Sequence, residues 1–128
     1  KKWIINKLKS LFDTLEGKRI TILGLSYTDN TDTLRRSGAV ELYDYFVKCN
    51  VDIQVYDPLI KKLPEEYNRI KMVDLLSPSD IIILYTERPI YKDINWESYN
   101  TTVIDPSGFL KSKLKSLNNI NYFSVGSK

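Results

Sequence analysis

The run Asp80-Ile81-Ile82-Ile83-Leu84-Tyr85-Thr86 constrains the fold of this chain more than any other stretch. It is continuously apolar rather than alternating, which is the pattern of a strand covered on both faces in the middle of a parallel sheet. Such a strand needs strands beside it and helices over it, and the chain offers both in turn. Arg19-Ile20-Thr21-Ile22-Leu23 is a β-branched apolar strand broken by Gly24. Val40, Leu42, Tyr43, Phe46 and Val47 then space a helix up to about Cys49, and Val51 to Tyr56 alternates as a second strand that Asp57-Pro58 terminates. Thr101-Thr102-Val103-Ile104 reads as a further strand.

The remaining segments are less regular. Between Lys61 and Pro78 the prolines at 64 and 78 act as breaks, and only Ile70, Met72, Val73, Leu75 and Leu76 offer apolar surface; a short strand near Ile70 and one helical turn after Asp74 fit this pattern. Asn95 to Tyr99 reads as a helical turn with Trp96 and Tyr99 packing. Leu110, Leu114 and Leu117 with three lysines between them make a final basic amphipathic helix. At the start, Trp3, Ile4, Ile5, Leu8, Leu11, Phe12 and Leu15 form one helical face within Lys1 to Glu16, which Gly17 stops. Strands alternating with helices at this pitch predict an α/β fold: a three-layer Rossmann-like domain with a mainly parallel sheet, preceded by an N-terminal linker helix.

Composition narrows the chemistry. With 128 residues and 42% hydrophobic content the chain is long enough for one domain with its own core. A net charge of +3 from 19 basic and 16 acidic residues is far from the balance of a nucleic-acid binder. One cysteine and no histidine exclude an intramolecular disulfide, a Cys/His zinc site and any triad with an imidazole base. No window approaches the roughly 20 apolar residues of a membrane span, so no membrane partner is expected, and a reducing cytoplasmic setting fits the lone thiol. Cys49, near the C-terminal end of its helix, has the wrong end of the dipole for activation and reads as structural.

The loop after Leu23 is where an open α/β sheet builds its site, because ligands lie beyond the carboxyl ends of the strands. Ser26, Thr28, Asn30, Thr31 and Ser37 can donate and accept hydrogen bonds, and Arg35 and Arg36 offer forks suited to a diphosphate at the approach to a helix N-terminus. A phosphorylated small molecule is the natural ligand; a loop whose Asp32 and Ser37 merely cap a helix is the alternative. A dinucleotide is not expected, since Gly24 is followed by Leu25 and Ser26 with no second or third glycine at the required spacing. Asp57 reads as a turn residue, with a ribose contact as the alternative, and Arg88, in Thr86-Glu87-Arg88-Pro89, as a solvated arginine, with a contribution to a ligand site as the alternative.

The residues Gly24-Leu25-Ser26-Tyr27-Thr28-Asp29-Asn30-Thr31-Asp32-Thr33-Leu34-Arg35-Arg36-Ser37-Gly38-Ala39 resemble the signature G-L-A-F-K-P-N-T-D-D-x-R-x-S-P-A of the C-terminal, UDP-binding domain of nucleotide-sugar 6-dehydrogenases. Gly17-Lys18-Arg19-Ile20, the stretch from Thr86 to Tyr91 and the closing Tyr122 to Gly126 are similar to other segments of that domain. The resemblance implies that residues 1–16 end an inter-domain helix and 17–128 form the UDP-binding domain. It also implies that UDP is held by Tyr27, Thr28, Asn30, Thr31 and Asp32, by Arg35 and Ser37, and by Asp105 and Ser107 from the D-x-R-N segment. The departures are chemical: Thr28 stands where the family has a lysine, Thr33 where it has a second aspartate, Gly38 where it has a proline, and Ser107 where it has an arginine. Losing the lysine removes a point charge facing the diphosphate. The parent enzyme would oxidise the sugar C6 alcohol to a carboxylate with NAD, through an N-terminal NAD-binding domain and a central domain that carries the catalytic cysteine. This chain is then expected to hold no catalytic, cofactor or metal residues of its own and to bind UDP or a UDP-sugar weakly, with a homo-oligomer as a further expected partner. The competing expectation is a domain that has lost the nucleotide and only completes the fold or assembly of its parent, or an independent α/β binding module.

Overall fold

The computed structural model describes residues 2–25 and 38–126. Six strands form one sheet: β1 (Arg19–Leu23), β2 (Asp52–Tyr56), β3 (Met72–Val73), β4 (Ile81–Leu84), β5 (Thr101–Ile104) and β6 (Ile120–Phe123). Their order is β3-β2-β1-β4-β5-β6 and every pair is parallel. The fold is the expected Rossmann-like α/β domain, and β4 is indeed interior, with Ile20 to Leu23 of β1 in register with Ile81 to Leu84 and all four of its residues buried.

Alternation along each strand divides the core in two. Ile20, Ile22, Ile53, Val55, Ile81, Ile83 and Ile104 face α1 (Lys2–Leu11) and α2 (Gly38–Lys48), which contribute Ile4 and Leu8, and Val40, Leu42, Tyr43 and Phe46. Leu23, Ile82, Leu84 and Val103 face the other way, onto Tyr91 and Trp96 from two short 3-10 turns and onto Leu110 and Leu114 around α3 (Lys111–Leu114). The second face also carries a buried polar contact, in which Gln54 donates to Thr21 Oγ1 at 2.9 Å and Thr21 meets Ser79 at 2.7 Å. Those groups satisfy one another where the crossover from β3 to β4 lies over the sheet.

Three local expectations are corrected. The first helix ends at Leu11, not near Glu16; Phe12 and Leu15 keep the helical spacing but pack on the core from a turn, in which Lys18 donates to the Leu15 carbonyl as the chain reverses into β1. No helical turn follows Asp74. Leu75 is 79% exposed, so the apolar face such a turn needs is absent, and the 3-10 turn of the region falls at Glu65–Tyr67 instead. The final helix is only four residues long because its apolar anchors are delivered by tight turns at both ends: Leu110 and Leu114 are fully buried, while Leu117 donates to the Leu114 carbonyl.

Candidate functional site

In this all-parallel order the direction in which the chain adds strands reverses between β1 and β4, and the crevice beyond their carboxyl ends is the place where a ligand reaches backbone from both halves. Gly24 opens it. Its φ is +91°, and an added Cβ would lie 2.4 Å from Thr86 Cβ and 2.9 Å from the Thr86 backbone N, so only glycine lets the chain leaving β1 cross the chain leaving β4. The next residue, Leu25, is fully buried, and its N–H donates to Asp57 Oδ2 at 3.0 Å. On the far side of the loop, α2 starts at Gly38, where a Cβ would lie 1.8 Å from Tyr85 Oη. The proline of the family signature would fit there only if the end of the Tyr85 side chain moved aside. Gly24 and Gly38 therefore both lie against the residues that follow β4, with the N-terminus of α2 opening on the same edge.

Tyr27, Thr28, Asn30, Thr31, Asp32, Arg35 and Ser37 lie outside the described residues. The two other expected site residues share one turn at the end of β5. Asp105 is fully buried and accepts from the Leu110 N–H at 2.8 Å, the Phe109 N–H at 3.3 Å and the Tyr122 hydroxyl at 2.6 Å. Ser107 Oγ reaches Asp105 Oδ1 at 3.5 Å. Burial first, and then the hydrogen bond to Asp105, push the Tyr122 hydroxyl above its ordinary pKa. Asp105 thus joins β5, β6 and the start of α3, while Ser107 is the exposed group at the mouth of that turn.

The sequence reading missed the pair formed by Asp57 and Arg88. Arg88 is not solvated: its Nη2 donates to Asp57 Oδ2 at 3.1 Å, with the arginine side chain 19% exposed and the aspartate side chain 0%. Asp57 Oδ1 also takes the Leu59 N–H at 3.1 Å, which is the turn role expected of it, but the carboxylate reaches further than that turn. The available signal was topological: Asp57 ends β2 and Arg88 follows β4, and only an order that puts β1 between them brings the two together. Below them, Tyr91 donates to the Tyr56 carbonyl at 2.8 Å. Burial, reinforced by Asp57 and opposed by Arg88, raises its hydroxyl pKa. A concavity of about 410 Å³ lies beyond β2 and β3, lined by Asp57 itself and by Ile60, Lys61, Leu63, Asn68 and Asp74 among others.

The arrangement does not suit a dinucleotide. The second glycine that lets a pyrophosphate approach would fall at position 26, where the sequence has Ser26, and the Leu25 N–H is already committed to Asp57. Among the described residues no group of three or more His, Cys, Asp or Glu side chains could hold a metal ion, and no helix is long and apolar enough to cross a membrane.

Comparison with known proteins decides the family. The sequence model of the UDP-glucose/GDP-mannose dehydrogenase family, UDP binding domain, matches residues 21–112. The chain belongs to this family. A UDP-glucose 6-dehydrogenase of Rickettsia conorii is 30% identical over 138 aligned positions, covering 98% of this chain and 32% of its own length. That of Rickettsia prowazekii is 31% identical with the same coverage, and a UDP-N-acetyl-D-mannosamine dehydrogenase of Pyrococcus horikoshii is 27% identical over 69% of this chain and 22% of its own. This UDP-binding domain therefore spans about a third of the Rickettsia relatives it matches, in which it is one part of a larger enzyme.

Proposed function

We propose that this UDP-binding domain receives the UDP portion of a nucleotide sugar in the crevice beyond β1 and β4. The protein that contains it would oxidise the sugar C6 alcohol to a carboxylate with NAD bound elsewhere, in the reducing cytoplasm. What supports this reading is the position of the two described glycines that flank the signature loop, Gly24 against Thr86 and Gly38 against Tyr85, both beside the residues that follow β4. Within that loop Tyr27, Asn30, Thr31, Asp32, Arg35 and Ser37 would contact the nucleotide, with Ser107 approaching from the end of β5. Cys49, just past the C-terminal end of α2 and on a chain without histidine, is not the nucleophile. The remaining domains of the parent, and other copies of it, are the proposed protein partners.

Titration calorimetry on the 128-residue chain tests this. UDP is expected to bind in the high micromolar to millimolar range, because each lost charge-assisted hydrogen bond removes about 1.5–3 kcal/mol. Thr28→Lys should tighten binding at least several-fold by restoring a charge, and Arg35→Ala should abolish it. No NADH should form with any UDP-sugar. The absence of basic side chains at 28 and 107 favours a second reading, in which the domain only completes its parent's fold. A folded Thr28→Lys variant that gains nothing would select that reading.

A further inference from the structure

Arg88 has more donors than its surroundings use. A guanidinium carries five N–H groups. Arg88 Nη2 is taken by Asp57, while Nε is buried and meets no acceptor among the described residues. Buried N–H groups in native proteins nearly always have a partner, so a donor left over at a ligand crevice points to something that arrives there. The location is specific. Asp57 Oδ2 holds both Arg88 Nη2 at 3.1 Å and the Leu25 N–H at 3.0 Å, which sets the guanidinium beside the first residue of the loop leaving β1. Arg19 and Arg69, the other described arginines in ion pairs, are 41% and 48% exposed and lie in surface pairs, whereas Arg88 is 19% exposed.

We propose that Arg88 receives the diphosphate of the bound nucleotide, taking over from the lysine and arginine whose places in the family signature are filled here by Thr28 and Ser107. This rests on the reading that the chain binds UDP. Asp57 acts as a positioning residue: its carboxylate is itself held by two backbone amides, so it fixes the arginine in place, and what Arg88 then offers a phosphate is directed N–H donors rather than an unpaired charge. A fork held in place before the ligand comes loses little side-chain freedom on binding, and its planar N–H groups match phosphate oxygens where a lysine offers a mobile point charge.

The test titrates the 128-residue chain with UDP and separately with uridine, comparing the unaltered protein with Arg88→Gln and Arg88→Lys after urea denaturation has established that each is folded. Arg88→Gln should weaken UDP binding tenfold or more, leave uridine binding unchanged and flatten the salt dependence. Arg88→Lys keeps a charge for Asp57 but has no fork; it should also weaken UDP and not uridine, and it carries the test if the glutamine variant is unfolded. Equal UDP affinity in a folded variant would overturn the role of Arg88 while the nucleotide site stands. No saturable UDP binding by the unaltered chain at millimolar concentration would overturn the nucleotide reading and this inference with it.

Discussion

Asp57→Ala should destabilise the chain by about 3–5 kcal/mol, as expected when one partner of a buried ion pair is removed and the other is left uncompensated. Three donors lose their acceptor together: the Arg88 guanidinium, the Leu25 N–H and the Leu59 N–H. Urea denaturation followed by far-UV circular dichroism measures the loss. Adding Arg88→Met to Asp57→Ala should recover a large part of it, because the charge is then gone and the methionine stem fills much of the space. The two backbone bonds to the carboxylate are not restored, so recovery should be incomplete. A double variant no more stable than Asp57→Ala would mean that the carboxylate matters for its backbone bonds and not for the ion pair.

Gly24→Ala should cost about 3 kcal/mol or more, combining the left-handed backbone penalty of roughly 1–2 kcal/mol with overpacking of roughly 1–3 kcal/mol. The obstruction is Thr86, with backbone N and O both 2.9 Å from the added Cβ, and Thr86 is itself held by its N–H bond to the Leu23 carbonyl. Gly17→Ala is the matched control: φ is +79° there, but nothing lies within 4 Å of a Cβ. It should lose only about 1–2 kcal/mol. Equal losses at the two positions would show that conformation alone, and not the crossing of the β1 and β4 exits, requires glycine at 24.

Where the sequence carried a strong period, its reading matched the structure, and where stability came from tertiary contacts it did not. The unbroken apolar run at Ile81–Leu84 marked an interior parallel strand, and the alternation from Val51 to Tyr56 marked β2. β3 has only Met72 and Val73 on the sheet's edge, too few for any periodicity to register. Leu75 looked like a core residue because composition says nothing about which side of an edge strand faces water. In the site, the signature from Gly24 to Ala39 was legible as a run of residues, but the packing of Tyr85 against Gly38 was not, because the two are joined only through the fold. Asp105 was legible by position, but not as the acceptor that ties Tyr122 to the start of α3. Asp57 and Arg88 are 31 residues apart and joined by strand order alone, which no local pattern encodes.

The central claim is that nucleotide enters the crevice beyond β1 and β4, and amide chemical-shift mapping during a UDP titration tests it most directly. The account predicts saturable shifts at Gly24, Leu25, Gly38, Arg88 and Ser107, together with residues of the 26–37 segment. Shifts confined to the far part of the neighbouring concavity, around Ile60, Lys61 and Asn68, with Gly24 and Arg88 unmoved, would contradict it.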